Sequence, residues 1–355
     1  MSGNGSAAAA PSGDGYRVAV VGATGQVGGV MLRLLRERGF PAREIVPFAS
    51  ERSAGTQLEG YGVVQPLTDE TIQGFDVAIF SAGGATSGAW APRFADAGAI
   101  VVDNSSKWRM DEDVPLVVSE VNPDALAEAR KGIVANPNCS TMQMVVALKP
   151  LHDAVGIERL VVSTYQAVSG TGRKGVDELL GQSHALLHGQ EADVDVYAHQ
   201  IAFNALPHAG SFAPGDDHTD EERKLIDETR KILGDPSIRI SATCVRVPVL
   251  NGHSEAVNVE TRSPLSPERA RELLSAAPGV TVLDDPGAGI YPMAIAADGK
   301  DDVFVGRIRR DPGNERALDL WVVSDNLRKG AATNAVQLVE LLHSRGLLRA
   351  AARAA

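Results

Sequence analysis

The first half of the sequence predicts an α/β fold with a doubly wound parallel sheet, on three observations. Short β-branched runs alternate with helical or turn-rich segments. The first run leads straight into a turn with evenly spaced glycines. That turn opens a segment whose apolar residues recur at helical spacing. A chain of 355 residues further leads us to expect two domains.

The opening segment, "YRVAVVGATGQVGGVMLRLLRERG" (16–39), begins with "RVAVV", which suits a buried parallel strand. Gly22, Gly25 and Gly28 follow in GxxGxxG spacing, and Val27, Val30, Met31, Leu34 and Leu35 mark one helical face. In a strand–turn–helix of this kind, glycines let the backbone approach a pyrophosphate, and free N–H groups at the helix start bind it. The same glycines serve as a packing turn in other α/β proteins; a strand before and a helix after favour nucleotide binding. "EIVPFAS" (44–50), "DVAIFSA" (76–82), "AIVVDNS" (99–105) and "PLVVSEV" (115–121) continue the series of strands.

The end of the second strand selects the cofactor. NAD enzymes usually place an acidic residue there to bind ribose hydroxyls. This chain reads "ASERSAG". Ser50, Arg52 and Ser53 suit a 2′-phosphate; Glu51 runs against that reading, although strand-turn geometry can point it away, and NADP is favoured over NAD. "SSKWRM" adds Lys107 and Arg109 after the fourth strand, where ligands of open α/β sheets bind.

A net charge of -11 disfavours non-specific binding to nucleic acid or anionic membrane. Two cysteines make no disulfide framework, and a reducing, cytoplasmic setting is the simplest expectation. Residues 1–15 lack the basic start and apolar core of a secretory signal and read as a disordered tail. No apolar run approaches the roughly 18 residues that suggest a membrane span.

"NPNCSTMQMVVALKP" raises the question of chemistry. Cys139 follows an Asn-Pro-Asn turn and precedes a helical pattern that runs to Pro150. Unpaired N–H groups and the macrodipole of a helix start favour a thiolate there. A lone cysteine is more commonly structural, and Cys244, in the apolar run "ISATCVRVPVL", fits that reading. A nucleophilic thiol in a chain with a dinucleotide loop points to acyl transfer through sulfur, coupled to hydride transfer. Such chemistry needs an acid/base group, oxyanion donors and charges that hold an acidic substrate.

"RVPVLNGHSEAVNVE" pairs Arg246 with His253. If 242–250 is a strand, Arg246 lies on one face of it and His253 beyond its end, after the "NG" turn. Arg246 would then hold a carboxylate and His253 move a proton. Taken singly, a cross-strand salt bridge and a surface-turn histidine are the simpler readings. "STYQAVSGTGRKG" (163–175) offers Gln166 and a glycine-rich turn with Ser169 and Gly170, fit to border a nicotinamide or phosphate. "TDEERKLIDETRKIL" (219–233) is an amphipathic helix whose Glu222 and Lys224 belong by default to a solvated face. In "HALLH", His184 and His188 lack the further ligands of a zinc site, so no metal is expected.

Together these segments resemble the aspartate-semialdehyde dehydrogenase family from about Tyr16 to Leu348. The resemblance rests on "GATGQVG", "ASERSAG", "NSSKWRM", "NPNCST", "STYQAVSGTGRKG", "EERK", "RVPVLNGHSE" and "SDNLRKGAATNAVQ", in that order. It implies the reversible, NADPH-dependent conversion of L-4-aspartyl phosphate to L-aspartate 4-semialdehyde and phosphate, early in lysine, methionine, threonine and diaminopimelate biosynthesis. It implies Cys139 as nucleophile, His253 as acid/base and Gln166 positioning the thioester. Arg246 would bind the substrate α-carboxylate, Glu222 its amine, and Arg109 and Lys224 the phosphate, with Asn138 also at the substrate. NADP would be held by Gly22, Ala23, Thr24, Gly25, Gln26, Val27 and Gly28, by Ser50, Arg52 and Ser53, and by Ser169, Gly170 and Asn326.

The fold implied is glyceraldehyde-phosphate-dehydrogenase-like. A Rossmann-like NADP-binding domain would span 16–137 plus 333–355, and a catalytic and dimerisation domain with a mostly antiparallel sheet would span 138–332. A homodimer or homotetramer is expected. The nearest rival is N-acetyl-γ-glutamyl-phosphate reductase, whose cysteine is usually followed by Tyr-Pro rather than by residues such as Ser140 and Thr141. A non-catalytic NADP-binding regulator is the rival of a different class. A short-chain reductase is rejected, because no tyrosine has a lysine four residues on.

Overall fold

The computed structural model describes residues 15–348. The expected tail at 1–15 lies outside these residues but for Gly15. The chain divides into two compact units, one ending at Asn136 and resuming at Ala332, the other running from Pro137 to Ala331.

The first unit is built from β1 (Tyr16–Val21), α1 (Gln26–Glu37), β2 (Ala42–Phe48), a small hairpin of β3 (Gln57–Leu58) and β4 (Gly62–Val63), β5 (Val77–Phe80), α2 (Gly83–Asp96), β6 (Ile100–Asp103) and β7 (Ile133–Ala135). Its main sheet has the order β2-β1-β5-β6-β7 and is parallel throughout. Val18–Val21 and Val77–Phe80 are fully buried, as strands covered on both faces require. β2 and β5 flank β1 on opposite sides, so the winding reverses there and leaves a crevice at the carboxyl ends of the strands.

The glycine turn fills the base of that crevice. Gly22 has φ +87°, and a Cβ on it would lie 2.2 Å from the Ser81 carbonyl oxygen. A Cβ on Gly28 would lie 2.1 Å from the Gly22 carbonyl oxygen, so α1 is seated directly against the turn. On α1, Val30, Met31, Leu34 and Leu35 are buried while Val27 is half-buried. The C-terminal helix, Asn334–Ser344, packs in this unit. Arg38 makes two 2.8 Å bonds to Glu340, and the Tyr16 hydroxyl meets His343 Nδ1 at 3.0 Å.

One expected strand is absent. Residues 115–121 make a single bridge, Leu116 to Ala135, and the edge strand is β7 instead. Side chains take the backbone groups that a ladder would use. Asn122 accepts from the Val118 N–H and donates to the Leu116 carbonyl, while Asn334 accepts from the Ser119 N–H and donates to Val117.

The second unit carries a six-stranded mixed sheet in the order β11-β12-β13-β10-β8-β9. Its strands are β8 (Ile157–Gln166), β9 (Arg239–Arg246), β10 (His253–Thr261), β11 (Val280–Val282), β12 (Val303–Asp311) and β13 (Asn314–Ser324). The three central pairings are antiparallel and the two outer ones parallel. α3 (Cys139–Val155), α5 (Asp220–Leu233) and α6 (Pro267–Ser275) pack on the sheet, and α4 (Arg173–Leu187) follows the loop after β8. From Ser140 to Leu148 every residue of α3 is buried, which marks a helix enclosed on all sides rather than an amphipathic one.

Candidate active site

The site starts from the turn that opens α3. Asn138 is the N-cap, and its Oδ1 accepts from the N–H groups of Ser140 (3.0 Å) and Thr141 (3.2 Å). Such a cap contributes about 1 kcal/mol and fixes where the helix begins. Cys139 is therefore the first helical residue, half-exposed, in the field of the helix N-terminus. A Cβ on Gly330 would lie 2.9 Å from the Cys139 Cβ, so only glycine leaves the cysteine its place.

Cys139 lines a cleft of about 570 Å³ within the second unit, together with Asn138, Gln166, Gly170, Glu221, Arg246 and His253. Gln166 ends β8, and its Nε2 donates to Ser140 Oγ (2.8 Å) and Glu221 Oε1 (3.2 Å). Arg246 ends β9 and donates through Nη1 to the Ala167 carbonyl at 2.7 Å. His253 opens β10. It is fully buried rather than set on a surface turn, because Gly252, at φ +90°, ends the connection and the chain re-enters the sheet at once. The strand expected over 242–250 runs instead over 239–246; Pro248 lacks the N–H that a continuing ladder would need.

Among the described residues, two buried donors on side chains that line this cleft have no partner. His253 Nδ1 accepts from the Ala167 N–H at 3.0 Å, which places the proton of the neutral ring on Nε2. That Nε2 is buried and unbonded, and so is Arg246 Nε. Burial, followed by the charge of Arg246, pushes the His253 pKa well below the usual histidine range. Buried donors are normally paired, so these two leave unused hydrogen-bonding capacity beside the cleft. Gly170 borders both; a Cβ there would lie 2.9 Å from Arg246 Nη1 and 3.1 Å from His253 Nε2.

The acidic residue at the cleft differs from the one expected. Glu222 accepts from the Thr219 N–H (2.9 Å) as the third residue of a capping box, and from the Cys244 N–H (3.0 Å). The carboxylate that lines the cleft belongs to Glu221, bonded to Asn138 Nδ2 at 2.8 Å. Successive helical residues point about 100° apart, so only one of the pair can face the cleft. Burial alone would raise the Glu221 pKa, but the Lys224 charge and the hydrogen bonds from Asn138 and Lys224 hold it below the usual value. Lys224 does not line the cleft. It pairs with Asp220 at 2.5 Å and Glu221 at 3.2 Å. Burial pulls its pKa down, and those two carboxylates raise it above the ordinary lysine value.

The default placement of Glu222 and Lys224 on a solvated face thus fails, since Glu222 is buried and Lys224 half-buried. Glu221, Glu222 and Glu228 share the buried stripe with Leu225, Ile226 and Ile232. That spacing marks three glutamates as buried but does not distinguish the one that lines the cleft. Cys244 is buried and its thiol pKa is driven far up by desolvation, consistent with a structural role. Asn326 is committed at both ends of its amide, to Ser169 Oγ (2.9 Å) and the Gly252 N–H (2.9 Å), and so ties the Ser169–Gly170 turn to the entry of β10.

In the first unit a separate cleft of about 420 Å³ lies at the carboxyl ends of β1, β2 and β5. Gly22, Thr24, Gly25, Ser50 and Glu51 line it. Ala23 and Gly28 are buried beneath the turn; Gln26 and Val27 are half-buried at the start of α1. Glu51 is among the lining residues, whereas Arg52, which is exposed, and Ser53 are not. Glu51–Ser53 form a 3-10 turn, which rotates successive side chains by about 120° and separates Glu51 from Arg52. The glycine cradle and the crevice at the winding reversal fit a dinucleotide pyrophosphate. Arg109, also in this unit, is buried and donates to the carbonyls of Asn136 and Asn104, each at 2.9 Å.

Two family descriptions match the chain: "Semialdehyde dehydrogenase, NAD binding domain" over 17–129, and "Semialdehyde dehydrogenase, dimerisation domain" over 148–329. The aspartate-semialdehyde dehydrogenase of Aquifex aeolicus is 57% identical over 340 residues, covering 94% of this chain and 100% of that protein. The crystal structure of aspartate semialdehyde dehydrogenase II from Vibrio cholerae complexed with ASA is similar at a TM-score of 0.89 and 49% identity, covering 93% of this chain and 98% of that one. The Candida albicans enzyme with NADP is similar at a TM-score of 0.71 and 27% identity, covering 94% and 99%.

Proposed function

The chain belongs to the aspartate-semialdehyde dehydrogenase family, and from that membership we propose how its own residues divide the work of the family's reaction. That reaction is the NADPH-dependent, reversible reductive dephosphorylation of L-4-aspartyl phosphate to L-aspartate 4-semialdehyde. The observation that carries the assignment is the pair of unbonded buried donors, Arg246 Nε and His253 Nε2, in the cleft that also holds Cys139.

Cys139 thiolate attacks the acyl phosphate carbon, the C–O bond to phosphate breaks, and a thioester forms on sulfur. NADPH held at the glycine loop and Ser50 would supply the hydride that this acyl group needs for reduction. His253 Nε2–H gives its proton to the thiohemiacetal oxygen and takes it back as the C–S bond breaks, the aldehyde C=O forms and Cys139 leaves as thiolate. Gln166, fixed by Ser140 and Glu221, orients the carbonyl. Arg246 binds the α-carboxylate and Glu221, rather than Glu222, the α-ammonium group. Lys224 and Arg109 are assigned to phosphate. Asn138 shapes the turn that carries the sulfur.

Glu221→Gln is expected to raise the KM for the semialdehyde by about tenfold or more through loss of a charge-assisted bond. Glu222→Ala is expected to lower the melting temperature by a few degrees and leave KM near native. Steady-state kinetics and thermal melts on both variants decide between them; a larger KM effect from Glu222 would return the ammonium to that residue.

Ser50, Arg52 and the glycine loop are assigned to NADP. Arg52→Ala should raise the KM for NADP by about tenfold and leave NAD use unchanged. Equal changes for both coenzymes would remove Arg52 from the 2′-phosphate.

The chain associates with itself, and we assign the contact to the sheet face opposite α3, giving a homodimer. Tyr165, Tyr291, Met293 and Ile295 are exposed on the second unit, and the Tyr165 and Trp321 rings meet at 5.3 Å. A monomer in sedimentation velocity, or a dimer indifferent to Trp321→Glu, would count against this face.

A further inference from the structure

Asn138 is gripped from α5 at two atoms. Its side-chain Nδ2 donates to Glu221 Oε1 at 2.8 Å, and its backbone N–H donates to Glu228 Oε2 at 2.7 Å. The two glutamates are seven residues apart, which places them two turns apart on one helical face. Glu228 is only 1% exposed, and it does not line the cleft. Its carboxylate therefore meets neither the substrate nor solvent, and it takes the N–H of the residue that immediately precedes the nucleophile.

The two contacts differ in their relation to the cleft. Glu221 is shared between Asn138, Gln166, Lys224 and, on the reading above, the substrate ammonium group. A bound ammonium competes for the same oxygens. Glu228 lies away from the cleft, so its hold on the turn is independent of the ligand. Asn138 in turn caps α3 through Oδ1, so its position sets where the helix begins and where Cys139 stands.

We propose that Glu228 is a positioning residue for the nucleophile: it locks the Asn138 backbone so that Cys139 keeps its place at the start of α3 while Glu221 exchanges partners with substrate. The proposal rests on Cys139 as nucleophile and Glu221 as the ammonium ligand. A displacement of about 1 Å at a reacting atom costs on the order of 10²-fold in rate. A sulfur drawn out of line with the first turn also loses part of the helix field.

The test uses the full-length chain with Glu228→Gln, Glu228→Leu and Glu228→Asp. Gln keeps an acceptor oxygen at the same reach; Leu removes it; Asp keeps the charge but withdraws it by one methylene. The readouts are kcat, KM for the semialdehyde, and the pH profile of Cys139 alkylation by iodoacetamide, with Cys139→Ser as the blank. We expect Gln to stay within about threefold of native, and Leu and Asp to lose about 10²-fold in kcat with KM little changed. Their alkylation profiles should move to higher pH, and that of the Gln variant should overlay the native curve. Near-native kcat in folded Leu or Asp variants, equal losses in Gln and Leu, or an unmoved alkylation profile would each overturn the proposal. Should the Leu variant not fold, the Asp variant carries the same decision. Alkylation needs no turnover, so it reports on the turn even if the catalytic assignments fail; native activity in Cys139→Ser is the separate signature of that failure.

Discussion

Cys139→Ser is expected to lower kcat/KM for phosphate-dependent semialdehyde oxidation by at least about 10⁴-fold. The hydroxyl that replaces the thiol is far less acidic and a much poorer nucleophile at neutral pH. The substitution changes one atom at the first residue of α3, where Asn138 continues to cap the helix. The fold and the NADP cleft, which lies in the other unit, should therefore be unaffected. The measurement is semialdehyde- and phosphate-dependent NADP reduction, with NADPH binding followed separately by fluorescence. Retention of more than about one per cent of native activity would mean that acyl transfer does not pass through this sulfur. Alkylation of the native protein should have the same effect, since Cys244 is buried and inert.

The second large effect belongs to His253. His253→Gln should lower kcat by about 10²- to 10⁴-fold, the usual range for a lost acid/base group. It keeps the size of the side chain and can still accept from the Ala167 N–H, but it cannot exchange a proton. The pH profile carries the sharper statement. Burial and the Arg246 charge both disfavour the imidazolium, so the folded pKa of His253 is depressed. The ring is therefore neutral throughout the neutral range, and it charges only as the pH falls through that low value. The contribution of His253 to the acid limb of kcat/KM should accordingly fall below the ordinary histidine pKa of about 6.5. The Gln variant should lack that component. A His253-dependent limb centred at or above the ordinary value would contradict the neutral ring inferred from the Ala167 contact.

The sequence was most legible where a residue type answers a local backbone need. Gly22 and Gly28 are forced by a turn with no room for a Cβ, and Asn138 by the unpaired N–H groups of a helix start. These needs are met within a few residues, so the strand–turn–helix and the cysteine at a helix opening can be read in one dimension. The apolar run at 115–121 meets the compositional test for a strand, but only Pro115 and Val117 bond the backbone of Ala135, and the side chains of Asn122 and Asn334 take several of its other backbone groups.

What the sequence by itself determined is a parallel dinucleotide unit, a thiol at a helix N-terminus, and the family through its ordered motifs. Which carboxylate lines the cleft that holds Cys139 was decided only by the tertiary structure. Glu221 and Glu222 are adjacent and chemically alike, and the capping box claims one while Asn138, 83 positions earlier, claims the other. The neutral state of His253 has the same origin. It follows from burial and from a backbone N–H contributed by another strand's end, neither of which exists until the sheet has formed.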